Sequence, residues 1–406
     1  MMYVISFLDR SNIGFAKEAL QTSVGISSTS YALAAGLFFI SYALCGFPSN
    51  LILHRIGARR WMSIITVAWG TISMAMIFVQ GNVSLYVLRL LLGIAEAGFF
   101  PGVILYLTYW FPGRVRGQIM GLFYAGLPLS LIFGGPLSGF LLEIHFAGGL
   151  EGWQWMFLIE GFIALLVGVV TYWYLDDRPV TAEWMPHAER AALMETLSAE
   201  QRGQRSFSPE SILKVFLDPW VLTYLAIYAL IQTSIYGLIF YLPTEISALI
   251  HRPVGLTVGI VSAIPWVVAF WALIWLPRIA DRFQSHRVCA SVTLLIGGCA
   301  GFIYPTAGPI LGVAALSIAI SALAAVQPLF WTFPTKYLTD RAAAGGIAVI
   351  ALGNLGGFVA PNLKVWADHH FHSEGAGFYL LAALVVLNAG LILLVNRQRR
   401  LEVISA

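Results

Sequence analysis

Residues Ser6 to Lys17 read SFLDRSNIGFAK and place an acid and a base side by side in an otherwise apolar segment. Asp9 and Arg10 have apolar residues on both sides. A charge at the centre of a bilayer is costly, so charged residues in membrane helices are rare and face a cavity or a partner. The stretch therefore predicts a polar site inside a membrane helix.

The composition is typical of a protein that crosses a membrane many times. The chain has 406 residues, of which 59% are hydrophobic and 11% are charged, whereas soluble domains have about 25% charged residues. The net charge of +3 leaves no electrostatic basis for nucleic-acid binding. Three cysteines in or beside apolar runs suggest neither a disulfide framework nor a metal site.

Spacing of the apolar runs predicts an all-α membrane protein with twelve helices. A spanning helix needs about 20 apolar residues, and the segment up to about residue 22 supplies the first. The other eleven predicted spans are 31–53, 61–79, 84–110, 118–142, 154–175, 219–247, 254–277, 288–305, 309–332, 343–366 and 376–396.

The longest polar stretch divides these spans into six and six. We expect an N-terminal six-helix bundle at 1–175, a cytoplasmic linker at 176–217, a C-terminal six-helix bundle at 218–396 and a cytoplasmic tail at 397–406. Short basic turns follow spans 2 and 8, which are equivalent places in the two halves. Such repeats about an axis along the membrane normal are typical of transporters.

Basic residues are distributed unequally between the two sets of loops. One set, which includes the linker and the tail, has 18 Lys and Arg residues, whereas the other has Lys17, Arg252 and Lys364. The positive-inside rule therefore places both termini and the linker in the cytoplasm. Most loop arginines act as topology determinants in this interpretation, and a gating role is open for Arg55, Arg59, Asp281 and Arg282.

After the loops are counted, Arg10 and Arg89 are the basic residues left inside the predicted spans, and Asp9 and Glu96 are their clearest acidic counterparts. Arg89 and Glu96 are seven residues apart and share one helix face. Helical rise places both Arg10 and Glu96 about 18 Å from the same boundary, near the midplane where transporters bind substrates and coupling ions.

These charges predict a proton-linked anion site. Arginine has a rigid fork of donors that suits a carboxylate, and a carboxyl group removed from water holds a proton more readily. The alternative is a static ion pair that holds the helices together. For Arg89, a coupling or gating role and a purely structural partnership with Glu96 both stay open.

Other polar residues in the spans are candidates either for substrate binding or for hydrogen bonds between helices. The substrate-binding candidates, besides Arg10, are Tyr42, Gln232, Tyr236, Trp331, Thr332 and Asn354.

Several long motifs resemble the anion:cation symporter family of the major facilitator superfamily. They are LDRSNIGFAK, FPSNLILHRIGARRW, LRLLLGIAEAGFFPG, GWQWMFLIEG and WYLDDRP. SIYGLIFYLPTEISALI, VSAIPWVVAFWALIWLPRIAD, AVQPLFWTFPTKYL and GNLGGFVAPNLKV are most similar to members that carry sugar acids such as L-rhamnonate. The match runs from residue 3 to about residue 396, and members that carry 4-hydroxyphenylacetate have similar N-terminal motifs.

The resemblance implies a proton-coupled symporter that imports a monocarboxylate sugar acid, L-rhamnonate or a related aldonate, by alternating access in a bacterial inner membrane. It implies that Asp9 and Glu96 bind protons, that Arg10 anchors the carboxylate and that Arg89 couples to Glu96. Tyr42, Trp331, Thr332 and Asn354 match places where relatives contact substrate.

Two departures from the family pattern stand out. Phe7 lies where sugar-acid carriers can have a tyrosine, which removes one hydroxyl donor. Relatives also have about 15 to 20 more residues before the LDR motif, as a full span requires. We therefore expect helix 1 to be truncated at its N-terminus or its start to have been chosen wrongly.

Rival functions have weaker support. An integral-membrane enzyme would need a nucleophile, a metal cluster or a cofactor motif, and we identify none, so we expect no cofactor and no metal. A channel or receptor would lack two similar halves and a midplane acid–base set. Symport of an aromatic acid or of tartrate-like acids stays open within the transporter class.

We expect the protein to function as a monomer in the lipid bilayer, with a small organic anion and protons as its ligands.

Overall fold

A computed structural model describes residues 1–144, 149–202, 217–338, 341–373 and 375–395. Those ranges contain twelve long helices, which we label α1 to α12. They are α1 Met2–Ser23, α2 Ser28–Ile56, α3 Ala58–Ala75, α4 Asn82–Trp110, α5 Gly113–Tyr124 with Gly126–Leu142, α6 Gly152–Tyr174, α7 Pro219–Ile250, α8 Leu256–Arg282, α9 His286–Ile303, α10 Pro309–Tyr337, α11 Arg341–Ala351 with Gly356–His370, and α12 Ala376–Leu394.

The short helical elements lie at ends, at breaks and in the linker. Single 3₁₀ turns follow α3 (Met76–Phe78) and α9 (Tyr304–Thr306), and a third, Leu352–Leu355, joins the two parts of α11. The linker contains a 3₁₀ turn at Pro179–Thr181 and a helix at His187–Arg202. Residues 203–216 of the predicted linker and all of the predicted tail lie outside the described ranges.

The helices agree with the spans predicted from the sequence. In the described ranges eleven helices are long and apolar enough to cross a membrane, and they correspond to the eleven predicted spans. The twelfth, α1, contains 22 residues and carries Asp9 and Arg10 near its middle. The prediction of an all-α bundle of twelve helices is therefore confirmed.

Local sequence explains where several helices begin and end. The Asp218 carboxylate accepts hydrogen bonds from the backbone N–H groups of Trp220 and Val221 at the start of α7, and Pro219 occupies the first helical position, where its missing N–H costs nothing. Gly57 ends α2 at a φ of 91°, a conformation that glycine adopts without strain.

Most of the larger contacts between helices lie within the first six helices or within the last six. Within the first set α3 packs on α6, α2 on α4 and α1 on α5 and α6, and within the second set α8 packs on α10 and α9 on α12. In the described ranges, the main contacts between the first six and the last six helices are those of α5 with α8, α2 with α11 and α1 with α7.

The contact between α5 and α8 is close because glycines face each other. A Cβ atom on Gly259 would overlap the backbone of Gly135, and one on Gly139 would overlap the backbone of Gly255. Small residues allow membrane helices to approach closely, which increases their van der Waals contact. This contact lies at the end of the bundle opposite the linker.

Two basic residues that the charge count assigned to loops lie inside helices instead. Lys17 belongs to α1, and Lys364 is a buried residue of α11. Lys364 Nζ lies 2.8 Å from Asp368 Oδ2 and 3.8 Å from Glu245 Oε1. The assignment of Lys364 to a loop was wrong because buried acidic partners allow a charge to remain within a membrane helix.

We predict that Gly259→Val destabilises the protein, because the added methyl groups overlap the α5 backbone. Overpacking of this kind costs about 1–3 kcal/mol, so the thermal unfolding midpoint in detergent should fall by several degrees. Gly390→Val is the matched control, since Gly390 has open space around it. Equal midpoints for the two variants would contradict the prediction.

Candidate functional site

A buried ion pair between Arg10 of α1 and Glu96 of α4 lies at the centre of the N-terminal half. Arg10 Nε donates to Glu96 Oε1 at 2.8 Å, and Arg10 Nη2 lies 2.8 Å from the same oxygen. Both side chains are buried. The structure thus brings together two residues that helical rise placed at one depth.

Aromatic rings surround the Arg10 guanidinium. Its Cζ atom lies 5.0 Å from the ring centroid of Phe7, 5.3 Å from that of Phe38 and 4.8 Å from that of Tyr42. The negative faces of aromatic rings attract a desolvated cation. These contacts supply part of the stabilisation that water would otherwise give the guanidinium.

Tyr236 of α7 connects this ion pair to the C-terminal half. Arg10 Nη1 donates to the Tyr236 hydroxyl at 3.4 Å, which is a long hydrogen bond. The Tyr236 ring also packs against Phe39 of α2, with centroids 4.5 Å apart. Arg10 therefore lies at the boundary between the two halves. The contact of its Nη1 atom is longer than the contacts of Nε and Nη2 with Glu96.

Asp9 faces a different environment from its neighbour Arg10, because successive residues of a helix point about 100° apart. Asp9 Oδ1 accepts hydrogen bonds from Ser73 of α3 at 2.7 Å and from Asn12 at 3.4 Å. Asp9 Oδ2 is buried and has no hydrogen-bond partner in the described part of the chain.

Arg89 is fully buried, and the structure does not pair it with Glu96. Its Nε donates to the backbone carbonyl of Ala34 at 3.4 Å, and its Cζ lies 5.0 Å from the ring centroid of Phe38. Within the described residues its two terminal nitrogens have no hydrogen-bond partner. The coupling role of Arg89 stays a prediction.

A small cavity lies between the two halves next to Arg10. Its volume is about 40 Å³, which is room for a few water molecules and far below the roughly 300 Å³ of a small ligand pocket. Five predicted substrate-binding residues line it: Arg10, Tyr42, Gln232, Tyr236 and Asn354. The cavity is therefore too small to hold an organic acid in this structure.

Two predicted substrate-binding residues of α10 do not line this cavity. Trp331 packs against Tyr228 with centroids 5.1 Å apart, and the Thr332 hydroxyl donates to the Leu329 carbonyl at 2.7 Å. The residue of α10 that lines the cavity is Gln327, one helical turn before Trp331. The roles of Trp331 and Thr332 stay predictions.

The sequence analysis missed three tyrosines that line the cavity and one buried acid. Tyr3, Tyr124 and Tyr228 line the cavity, and Tyr228 precedes Gln232 by one helical turn, so helical spacing could have found it. Glu160 of α6 is fully buried. A charge inside a predicted span is itself the signal that could have identified it.

The predicted gating residues lie at the linker end, where Arg59 contacts the start of the linker and Asp281 contacts the start of α9. The Arg59 backbone N–H donates to Asp177 Oδ1 at 2.8 Å, and Arg59 lies over the Tyr172 ring. Asp281 Oδ1 lies 2.8 Å from His286 Nε2. A gating role for Arg55, Arg59, Asp281 and Arg282 stays a prediction.

Among the described residues, no group of His, Cys, Asp and Glu side chains is arranged to hold a metal ion.

Comparison with known proteins establishes the family. The model of the Major Facilitator Superfamily matches residues 1–361, and the chain belongs to this superfamily. It is 43% identical over 399 residues to the Inner membrane transport protein RhmT of Escherichia coli (strain K12), a match that covers 98% of this chain and 92% of that protein.

A second relative and a solved structure agree with this assignment. The chain is 41% identical over 404 residues to a putative tartrate transporter of Agrobacterium vitis, covering 98% of this chain and 88% of that protein. A bacterial homolog of the human lysosomal transporter Spinster, in an inward-facing and unoccupied conformation, has the same fold. That match has a TM-score of 0.77 at 16% identity and covers 97% of this chain and 94% of the other.

The chain is therefore a multi-pass membrane transporter of the Major Facilitator Superfamily and not an enzyme. The resemblance to this superfamily that the sequence motifs indicated is confirmed.

We predict that Arg10→Met destabilises the protein strongly, because it leaves Glu96 buried without its cation. Removing one partner of a buried ion pair costs about 3–5 kcal/mol. The double variant Arg10→Met with Glu96→Gln should recover at least half of that loss, since no isolated charge remains. Unfolding in detergent measures both variants, and a double variant less stable than Arg10→Met alone would show that the pair is not the main interaction of Glu96.

Proposed function

We propose that this transporter is a proton-coupled symporter that imports a monocarboxylate sugar acid, L-rhamnonate or a related aldonate, by alternating access. The observation that carries the proposal is the Arg10–Glu96 pair at the boundary between the two halves, with Tyr236 of the opposite half on the remaining edge of the guanidinium.

Arg10 supports an anionic substrate. The guanidinium presents its donors in a planar fork that matches a carboxylate. Nε and Nη2 contact Glu96, whereas Nη1 makes a long hydrogen bond of 3.4 Å to Tyr236. A substrate carboxylate can therefore bind Nη1 by displacing the Tyr236 hydroxyl. If Glu96 moves away from Arg10, the carboxylate can also accept from Nε and Nη2.

The polar lining supports a hydroxylated substrate. Gln232, Asn354 and Gln327 contribute amide groups to the cavity, and Gln232 Nε2 donates to Asn354 Oδ1 at 2.7 Å. Amide groups can both donate to and accept from sugar hydroxyls. Tyr3, Phe7 and Tyr228 contribute aromatic faces, so an aromatic acid such as 4-hydroxyphenylacetate is the second candidate. Tartrate-like acids are a third, favoured by the name of the relative in Agrobacterium vitis.

Exchange of partners at Arg10 gives a physical link between proton binding and anion binding. Protonation of Glu96 removes its negative charge and weakens its hold on the guanidinium, because charge-assisted hydrogen bonds are roughly twice as strong as neutral ones. Arg10 is then free to bind the substrate carboxylate. Loss of the proton restores the Glu96 carboxylate, which competes with the substrate and promotes its release.

Contacts between the halves support alternating access. The Gly135–Gly259 and Gly139–Gly255 approaches lie at the end of the bundle opposite the linker. If the linker and both termini are cytoplasmic, as the loop charges predict, the structure is closed on the outer side of the bacterial cytoplasmic membrane. Separation of α5 from α8 and of α2 from α11 would open that side, and the protein would carry out this cycle as a monomer.

Uptake by the purified protein in liposomes tests this proposal. We expect an inward proton gradient to drive accumulation of radiolabelled L-rhamnonate at least tenfold above the level without a gradient. Other aldonates should compete, whereas 4-hydroxyphenylacetate should not. Accumulation that survives collapse of the gradient would overturn proton coupling, and competition by the aromatic acid alone would favour the second candidate.

Substitution of Arg10 tests its role as the anion anchor. Arg10→Lys keeps the positive charge but loses the planar fork and its stacking on three aromatic rings, so uptake should fall by at least a hundredfold. Arg278→Lys is the matched control, because Arg278 is exposed at the linker end of α8. Near-normal uptake by Arg10→Lys would remove Arg10 from the binding site.

A further inference from the structure

Glu160 of α6 is a buried acid that the proposed exchange at Arg10 does not use. Its side chain is 0% exposed. Glu160 Oε1 accepts a hydrogen bond from the Ser138 hydroxyl of α5 at 2.7 Å, and Glu160 Oε2 has no hydrogen-bond partner in the described ranges. This pattern repeats that of Asp9, which also has one bonded and one unpartnered carboxyl oxygen.

The groups that face Glu160 include one acid and no close cation. Helix α6 packs against α1, α3 and α5; Asp9 and Asn12 come from α1 and Ser138 from α5, while Ser73 of α3 binds Asp9. The other charged groups of this region are Arg10, Arg89 and Glu96, and Arg10 is turned towards Glu96. No Lys, Arg or His among the described residues forms an ion pair with Glu160.

The ionised form of Glu160 would be energetically unfavourable in this buried position. Burial of an ionised carboxylate without a cation costs so much that such a group takes up a proton instead. Two carboxylates at one site also repel each other, so one proton tends to remain on such a pair. Glu160, which has no ion-pair partner among the described residues, meets the first condition, and Glu160 with Asp9 meets the second.

Asn12 connects the two acids. Its Nδ2 donates to Asp9 Oδ1 at 3.4 Å, and its side chain also lies beside the Glu160 carboxyl. Asp9 Oδ2, Asn12 Oδ1 and Glu160 Oε2 are all buried acceptors without a donor in the described part of the chain. Buried acceptors without donors are rare in proteins, and a proton on either carboxyl would provide a missing donor.

We propose that Glu160 is a second proton-binding carboxyl, which shares with Asp9 the single proton that this pair holds at neutral pH and releases during the transport cycle. The proposal rests on the proposed proton coupling. In this arrangement Asp9 does not titrate alone, because the pair titrates as a unit. Glu160 thereby sets the pH at which Asp9 releases its proton during the transport cycle.

Glu160→Gln is the first test. Glutamine retains an oxygen that can accept from Ser138 and gains an amide that can donate to Asn12, but it cannot become negatively charged. Because the opposing charge is removed, Asp9 should release its proton more readily. We expect the pH midpoint of proton-driven uptake to move down by about one unit, a tenfold change in proton affinity. Glu189→Gln, in the exposed face of the linker helix, is the matched control and should not move the midpoint.

Ser138→Ala should have the opposite effect. The Ser138 hydroxyl donates to Glu160 and favours its ionised form, so loss of this donor should move the midpoint of the pair upward. This small substitution also preserves a test if Glu160→Gln does not fold. Midpoints that are unchanged in the folded variants would overturn the proposal and assign Glu160 a purely structural role.

Infrared difference spectroscopy of the purified protein separates failure of this proposal from failure of proton-coupled transport. A protonated carboxyl has a C=O stretching band that shifts in D₂O. We expect Glu160→Gln to remove one such band at neutral pH, and Asp9→Asn to move the titration of the remaining band to lower pH. Absence of a gradient effect on uptake would overturn the symport mechanism, whereas absence of the Glu160 band would overturn the present proposal by itself.

Discussion

The cost of holding charges away from water is the constraint on which the rest of this structure depends. Arg10 and Glu96 satisfy it through a direct ion pair between α1 and α4, with aromatic rings around the guanidinium. Lys364 satisfies it through Asp368 and Glu245 at the end opposite the linker. These ion pairs therefore determine which helices must adjoin, because a buried charge that loses its partner destabilises a protein by several kcal/mol.

The cost of burying charge also makes the buried ion pair sensitive to protons and anions, which a coupled transporter requires. A buried pair is stable only while both partners are charged, so a proton on the acid or an anion on the base changes its energy sharply. Arg10 makes its weakest contact with Tyr236 of the opposite half. Changes of charge at the centre can thus alter the contact between the halves, which is the requirement for a coupled cycle.

Much of the architecture could be predicted from the sequence because helix formation in a membrane depends on local features. Apolar length identified eleven spans, and the charge pattern of SFLDRSNIGFAK indicated that α1 carries a polar site. The placement of Lys364 in a loop was wrong, because a charge near the end of a predicted span was counted with the loop although Asp368, one helical turn away, pairs with it inside α11. Glu160 could have been identified from its place inside the span 154–175, whereas its approach to Asp9 could not, because the two residues are distant in the chain.

The sequence by itself determined the class of protein, the number of helices and the depth of the charged residues, since helical rise converts residue number into depth. Only the tertiary structure decided which groups meet at that depth. It paired Glu96 with Arg10 rather than with Arg89, placed Gln327 instead of Trp331 at the cavity, and brought Glu160 beside Asp9. The reason is rotational: the face that each helix turns towards its neighbours depends on packing against the other helices, and local sequence does not specify it.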